Sequence, residues 1–167
     1  DGPVVVPGDP TNLLQIVLNL ALNARDAIGG EDGTITLSAR RADPASAGGS
    51  EDGEVVIGTV EEGWTYGSIA VSDTGSGMDE PIRKRIFEPF FTTKEPGRGT
   101  GLGLSTAYGI VRDHEGEITV NSKPGVGSIF QILFPMAEVR GVEKKAPPME
   151  IIEGRGERVL VIDDDRG

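Results

Sequence analysis

One long unbroken segment constrains the fold more than any other feature of this sequence. The run TNLLQIVLNLALNARDAI contains no glycine and no proline, and it is too long for an ordinary strand. Asp9 and Pro10 before it are typical of a helix start, and Gly29-Gly30 after it is typical of a helix end. We therefore predict a helix over residues 10–28. Apolar residues cover most of its circumference, which predicts a mostly buried helix.

Short strand patterns follow this helix. They lie at residues 34–40, 54–60, 68–73, 116–122 and 128–134. The segment EEGWTYG separates the second run from the third and predicts a hairpin or meander. LGLSTAYGIVR, after a glycine cluster, predicts another helix over residues 102–112. This alternation indicates one α/β domain that ends near Pro135.

The composition removes several classes of function. The chain has no cysteine and a single histidine, His114, which excludes disulfides, cysteine nucleophiles and multi-histidine metal centres. A net charge of −11 argues against binding to a nucleic-acid backbone. No apolar run is long enough to span a membrane, and no signal sequence opens the chain, so we expect a soluble protein. Against this acidic background, residues 82–100 hold five basic and two acidic residues.

A polar stripe runs along the first helix. Asn12, Gln15, Asn19, Asn23 and Asp26 recur at steps of three or four residues and so share one face. Neutral amides suit a partly buried ligand site, because an amide oxygen can bind Mg²⁺ beside phosphate oxygens without adding negative charge. The alternative is a row of hydrogen-bonded amides between helix and sheet.

Two glycine clusters are candidate ligand-binding elements, and the first can select the base if the ligand is a purine. In the first, Asp73-Thr74-Gly75-Ser76-Gly77 follows an apolar strand. A carboxylate there would accept from the amine of adenine and repel the O6 of guanine, and the glycines would let backbone approach the ligand. An ordinary turn aspartate is the alternative.

The second cluster, Gly99-Thr100-Gly101-Leu102-Gly103-Leu104, opens the later helix. A helix start of this kind presents free N–H groups to an anion. Neither the dinucleotide fingerprint nor the lysine-bearing phosphate loop is present, and a glycine hinge without a ligand is the alternative.

Taken in order, the amide-rich helix, the D-x-G-x-G element, IFEPFFTTK and GRGTGLGLS form a specific combination. Over about residues 9–135 the chain resembles the catalytic and ATP-binding domain of sensor histidine kinases. That superfamily also contains DNA gyrase B, Hsp90 and MutL. The resemblance implies the Bergerat ATP-binding fold: a two-layer α/β sandwich with a mixed sheet of about five strands, three helices on one face and a mobile ATP lid.

The resemblance also implies roles at the phosphate end of a Mg-ATP site. Asn23 is implied to ligate Mg²⁺, and Asn19 to make a second polar contact near the phosphates. Arg25 and Asp26 flank that site; related domains often carry a basic residue in place of Asp26, so Arg25 is an alternative source of the cation. The residues implied to reach the phosphates under a closed lid are Thr92, Thr93, Lys94 and Arg98. Asn19, Asn23 and Lys94 are those implied to act in catalysis.

At the base end, Asp73, Gly75 and Gly77 match the family's first glycine box, and Met78 would line the adenine pocket. The rings of Phe87, Phe90 and Phe91 match the F box that anchors the lid. The second glycine box is matched by Gly99, Thr100, Gly101, Leu102, Gly103 and Leu104, and the last glycine element by Gly127 and Ser128.

The implied reaction is in-line transfer of the γ-phosphoryl group of Mg-ATP to a histidine in two-component signalling. That histidine is expected on a separate dimerisation domain, so His114 is expected to be structural. A serine kinase of the same superfamily is one alternative, which the F box and the receiver-like end disfavour, and two others remain. One is an ATP-driven clamp of the gyrase or MutL type, which would need a glutamate where this chain has Asn19. The other is a regulatory module that binds a nucleotide or second messenger without kinase activity.

The end of the sequence differs in character. Residues 137–156 have a linker composition, after a kinase domain at 1–136. Residues 157–167 contain VLVIDDD, which resembles the first strand of a receiver domain and predicts a hybrid kinase that is truncated here. The expected partners are the dimerisation domain and a receiver in cis or a response regulator, and the expected location is the cytoplasm. We expect a monomeric fragment of a homodimeric protein that can carry a membrane anchor elsewhere.

Overall fold

A computed structural model describes residues 4–30, 32–42, 54–61, 63–95 and 99–136, with only the backbone of residues 54–56. All of these lie in the first of the chain's two units, Asp1–Ala137. The linker and receiver predicted for residues 137–167 therefore lie outside the described residues.

The described residues form three helices and five strands. The helices are α1 (Pro10–Ile28), α2 (Glu80–Arg83) and α3 (Gly103–Asp113), and the strands are β1 (Ile35–Ala42), β2 (Glu54–Ile57), β3 (Tyr66–Asp73), β4 (Glu117–Lys123) and β5 (Gly127–Pro135). The prediction of about five strands and three helices is thus confirmed. Between α2 and α3 the proline-containing segment holds no further helix or strand among its described residues.

The strands form one sheet in the order β1-β3-β5-β4-β2. All four pairings are antiparallel, so the prediction of a mixed sheet is wrong. The hairpin or meander predicted for β2 and β3 is also wrong, since β2 pairs with β4 at the edge and β3 lies between β1 and β5. The link over residues 58–65 is longer than a usual hairpin loop and allows this separation.

Local chemistry sets the ends of α1 where they were predicted. The Asp9 carboxylate accepts from the Thr11 N–H at 2.8 Å, and Pro10 occupies the first helical position. At the other end Gly29 adopts a φ of 71°, and its N–H donates to the Arg25 carbonyl. A left-handed residue of this kind suits glycine and stops the helix.

The predicted burial of α1 is wrong. Only Ile16, Leu20 and Ala24 are buried, whereas Leu14, Leu18 and Leu22 are 58%, 50% and 46% exposed. A two-layer sandwich covers one side of a helix, and in the described part of the chain no third layer covers the other.

One hydrophobic core joins the three helices to one face of the sheet. It comprises Ile16, Leu20, Ala24, Val71, Ile86, Ala107, Val111, Ile118, Val120, Phe130, Ile132 and Phe134, with Ile82 of α2 packed against it. The last residue of β3, Asp73, lies opposite Ser128 near the start of β5. This register places a carboxylate and a hydroxyl at one end of the sheet, beneath α1. None of the helices described is long and apolar enough to cross a membrane.

Candidate nucleotide-binding site

A cavity of about 380 Å³ lies between α1, the end of β3, the start of β5 and the start of α3. It brings together most of the residues predicted for the site: Asn19, Asn23, Asp26, Asp73, Gly77, Met78, Phe91, Thr92, Thr93, Lys94, Thr100, Gly101, Gly103, Leu104 and Ser128. Seven predicted residues do not line it: Arg25, Gly75, Phe87, Phe90, Gly99, Leu102 and Gly127. Arg98 lies outside the described residues.

Sequence reasoning missed much of the apolar part of the wall. Leu22, Ala24, Ala27, Ser76, Ile82, Ile86 and Phe130 also line the cavity. Most of these are core-type residues without a motif, and their patterns indicate packing only. Phe130 had a signal, because it lies two residues after Ser128 on a strand and therefore on the same face of the sheet.

Asp73 is held rigidly at one end of the cavity. Its side chain is buried, and its Oδ1 accepts from the Gly75 N–H at 2.9 Å. Gly75 thus orients the carboxylate although it does not line the cavity. A Cβ on Gly75 would lie 2.6 Å from the carbonyl carbon of Ala27, so this glycine lets the Asp73 turn pack against α1.

The other glycines also make room mainly for the protein itself. A Cβ on Gly77 would lie 2.0 Å from the Lys123 carbonyl oxygen, and one on Gly101 would lie 2.4 Å from the Phe90 carbonyl carbon. Both residues have positive φ, 64° and 65°. The expectation that the glycines let backbone approach a ligand was therefore incomplete for these positions, since protein backbone also packs against them. At Gly103, by contrast, the nearest atoms belong to the Asn19 side chain at 3.7 Å, an ordinary contact.

Ser122 connects the elements behind the Asp73 end. Its hydroxyl accepts from the Met78 N–H at 2.9 Å, donates to the Gly127 carbonyl at 3.0 Å, and lies 3.1 Å from the Ser128 hydroxyl. The Ser122 carbonyl accepts from the buried Arg83 guanidinium at 2.6 Å. These contacts fix the positions of Met78 and Ser128 on the wall.

Asn23, Asp26 and Lys94 meet on the α1 side of the cavity. Asn23 and Asp26 are three residues apart on α1, so both face the cavity. The Lys94 ammonium lies 2.6 Å from Asp26 Oδ2 and 3.5 Å from Asn23 Oδ1. Arg25 binds Asp26 Oδ1 from outside at 2.8 Å. The hydrogen bonds from Lys94 and then from Arg25 hold the pKa of Asp26 below its ordinary value of 3.8.

This geometry distinguishes the two candidate cations. The Arg25 side chain is 67% exposed and lies outside the cavity, so in the structure Lys94, and not Arg25, brings a positive charge to the wall.

The start of α3 forms another part of the cavity wall. No side chain caps this helix at Leu102. The Asn19 amide donates to the Gly103 carbonyl at 3.0 Å, which ties α1 to the helix start. Gly103 and Leu104 line the cavity, so first-turn N–H groups without an intrahelical partner are available to an anion there.

The three phenylalanines of the predicted F box occupy different environments. Phe91 lines the cavity, with the Arg85 guanidinium 4.4 Å from its ring centroid. Phe87 packs on the core, with its ring 5.8 Å from that of Tyr108. Phe90 is 74% exposed at a φ of 67°, and its N–H donates to the Gly101 carbonyl at 2.9 Å. Only Phe91 is placed to touch a ligand.

His114 has the structural position expected for it. It ends α3, and its Nδ1 lies 2.8 Å from the Ile110 carbonyl, so the hydrogen bond requires a proton on Nδ1. Its ring meets the edge of Phe134 at 5.8 Å and packs against Gly8. His114 is not among the residues that line the cavity.

Comparison with known proteins identifies the fold. Residues 8–138 match the family model of the histidine kinase-, DNA gyrase B- and HSP90-like ATPases. The chain belongs to this ATPase family. The two-layer α/β sandwich expected from the sequence is therefore confirmed, with an antiparallel sheet in place of a mixed one.

The similar proteins are sensor kinases. The chain is 38% identical to the sensor kinase CckA of Brucella abortus over 96% of its length, and 35% identical to the signal transduction histidine-protein kinase AtoS of Escherichia coli over 78%. It spans 17% and 18% of the lengths of these relatives. A solved structure of full-length ShkA in complex with AMPPNP matches 81% of this chain and 24% of that one, with a TM-score of 0.59 and 29% identity.

Proposed function

We propose that this domain binds Mg-ATP and transfers its γ-phosphoryl group to a histidine on a separate dimerisation domain, as the catalytic domain of a sensor histidine kinase. The observation that carries the proposal is the polarity of one cavity. A buried carboxylate, Asp73, lines it together with the Asn23 amide, the Asp26 carboxylate and the Lys94 ammonium, beside an uncapped helix start. The AMPPNP complex of the similar protein ShkA supports an adenine nucleotide as the ligand.

Asp73 would select the base. Gly75 occupies one of its oxygens, and an ionised carboxylate has acceptor sites left for the exocyclic amine of adenine. Guanine presents O6 at the equivalent place, and two acceptors repel each other. Met78, Ile82 and Phe130 supply apolar contact area for a purine on the same wall.

The phosphate end fits Mg²⁺. The Asn23 amide and the Asp26 carboxylate offer the hard oxygen donors that this ion prefers, and the Lys94 ammonium already lies within reach of both. Asn23 would hold the ion, which when bound neutralises charge that develops on the transferred phosphoryl group. The N–H groups at the start of α3 and Lys94 would position the phosphates.

Asn19 argues against an ATP-driven clamp. The position where such a clamp would need a glutamate base holds an amide here, and that amide donates to the Gly103 carbonyl. An amide cannot accept a proton from water at neutral pH. Slow hydrolysis of ATP is therefore expected from this chain alone.

The partners follow from the reaction. The phosphoryl acceptor would be the dimerisation domain of the same full-length protein, in the cytoplasm, and a receiver domain or response regulator would take the group onward. The similarity to CckA covers 96% of the chain and so continues past residue 138, where the family model ends. We propose that this part of the chain is a linker followed by the first strand of a receiver, on the ground of the VLVIDDD run in the sequence.

The test is calorimetric titration of ATP and GTP, with and without Mg²⁺, into the wild-type chain and into Asp73→Asn. The wild type is expected to bind ATP over GTP with help from Mg²⁺, and the variant to lose that preference. The chain would then be mixed with a histidine-bearing dimerisation domain of a similar kinase and labelled ATP, to follow phosphoryl transfer. A well-folded wild type that binds no ATP would refute the proposal.

A further inference from the structure

The Lys94 ammonium lies against two oxygens that could bind a divalent cation. It touches two oxygens from successive turns of α1, Asn23 Oδ1 at 3.5 Å and Asp26 Oδ2 at 2.6 Å. A magnesium ion bound to Asn23 would lie about 2.1 Å from Oδ1. Two positive charges cannot share that small space without strong repulsion. Mg²⁺ and Lys94 therefore compete for the same oxygens.

Asp26 requires a cation whenever a nucleotide is bound. Its carboxylate lines the same cavity as the proposed phosphate site and is 29% exposed. A polyanion placed beside it would be repelled unless a positive charge lay between them. Arg25 does not meet this need, because it binds the other carboxylate oxygen from outside the cavity. Only Lys94 or a metal ion can do so from inside the described cavity.

We propose that Asp26 is a second metal-binding residue beside Asn23, and that Mg-nucleotide binding transfers its Oδ2 from the Lys94 ammonium to the magnesium ion. Lys94 is thereby released toward the phosphates. In this exchange Mg²⁺ replaces the Lys94 ammonium at the Asp26 carboxylate. This inference rests on the proposed nucleotide site, but it assigns to Asp26 a role that Asn23 alone does not require.

The test measures how much Mg²⁺ strengthens binding of a non-hydrolysable ATP analogue. The quantity is the ratio of the dissociation constant in chelator to that in excess Mg²⁺, determined by calorimetry. Asp26→Asn should bind the analogue more tightly than wild type in chelator, because the repelling charge is gone and Lys94 is free. In Mg²⁺ it should bind more weakly, so the ratio should fall about tenfold. A purely structural defect would weaken binding in both conditions, and that result would overturn the proposal.

Lys94→Met and the double variant Asp26→Asn with Lys94→Met show whether Asp26 binds the metal or acts only through its ion pair with Lys94. Lys94→Met should raise the ratio, since no ammonium competes with the ion. If Asp26 touches the metal, Asp26→Asn must still lower the ratio about tenfold in the Lys94→Met background. A change of less than twofold in that background would overturn the proposal, because Asp26 would then act only through Lys94.

Asp113→Asn is the matched control. Asp113, like Asp26, pairs with the arginine directly before it on a helix surface, here Arg112 at 3.3 Å, but it does not line the cavity. This variant should leave both constants within twofold of wild type, and thermal unfolding should show all variants folded. Wild-type binding without an Asp26 effect would refute this inference alone. Absence of any wild-type binding would refute the proposed function as well.

Discussion

Substitution of Gly127 should damage both stability and nucleotide binding, whereas the same substitution at Gly125 should damage neither severely. Both glycines lie at the β4–β5 turn with positive φ, 121° and 73°. A Cβ on Gly125 would meet no atom within 4 Å, but a Cβ on Gly127 would lie 2.0 Å from the Asp73 carbonyl oxygen. Comparison of the two variants therefore separates the cost of a side chain at positive φ from the cost of steric overlap.

The magnitudes follow from these distances. Gly125→Ala should cost about 1–2 kcal/mol of unfolding free energy, the usual cost of a side chain at positive φ. Gly127→Ala adds an overlap of roughly 1.5 Å relative to an ordinary contact of about 3.5 Å, which must separate the turn from β3. The hydrogen bond from the Ser122 hydroxyl to the Gly127 carbonyl and the pairing of Ser128 with Asp73 would be disturbed. Two such losses add about 2–3 kcal/mol, for a total of about 3–5 kcal/mol.

Equilibrium urea unfolding followed by circular dichroism would measure these losses, with m-values compared to confirm the same transition. Because the overlap acts on Asp73, affinity for Mg-ATP should also fall at least about tenfold in Gly127→Ala and less than twofold in Gly125→Ala. Equal destabilisation of the two variants, or wild-type affinity in Gly127→Ala, would refute the steric argument.

Three further substitutions test other parts of the structure. Ile132→Ala, at a fully buried position, should lower the unfolding free energy by about 2–5 kcal/mol, whereas Leu14→Ala on the exposed side of α1 should change it by less than about 0.5 kcal/mol; similar losses in urea unfolding would contradict the exposure of α1. Asp9→Ala should lower the thermal midpoint at neutral pH, and Asp9→Asn, which keeps the hydrogen bond but not the charge, should lower it less. The Thr11 N–H holds the pKa of Asp9 below its ordinary value of 3.8. The charge-dependent part of this cap is therefore present above pH 3.8 and is lost as the pH falls through the lowered folded-state pKa. A difference in thermal midpoint between wild type and Asp9→Asn that does not change with pH would contradict this role of the charge. Arg85→Gln should weaken binding of Mg-ATP about two- to fivefold, because its contact with Phe91 is solvent-exposed, while Arg85→Lys should retain part of the effect; unchanged calorimetric affinity in Arg85→Gln would place Phe91 outside the ligand contact.

The sequence allowed correct prediction of features that depend on nearby residues. The helix over 10–28 was predictable because Asp9, Pro10 and Gly29 act on the first and last turns directly. Asn19, Asn23 and Asp26 were predictable as one face because the helical period fixes their direction. The partner of β2 was not predictable. A short apolar strand has the same sequence pattern whether it pairs with the next strand in the chain or, as β2 does, with a later strand at the edge of the sheet.

Contacts between segments that are distant in the sequence were not predictable from local patterns. Lys94 and Asp26 are 68 residues apart, and no local pattern indicates that they meet. The glycines were correctly singled out, but for an incomplete reason: Gly77 and Gly101 are required because backbone atoms of Lys123 and Phe90 pack against them. A motif shows where a side chain is excluded, and only the fold shows which atoms exclude it.

The surroundings of Asp73 and those of Lys94 are stabilised by different forces. This difference predicts how each part of the cavity responds to a ligand. Around Asp73, backbone atoms of three segments are in direct contact through Gly75, Gly77 and Gly127, so the backbone that carries this carboxylate is held at the end of the sheet. Lys94, by contrast, is held by a partly exposed ion pair, an interaction typically worth about 0–1 kcal/mol. A ligand can displace that ammonium at little cost. The base should therefore be selected by a preformed site, while the phosphates and metal rearrange the residues around them. Substitution of Asp73 should accordingly change the preference between ATP and GTP, and substitution of Asp26 or Lys94 should change the dependence on Mg²⁺.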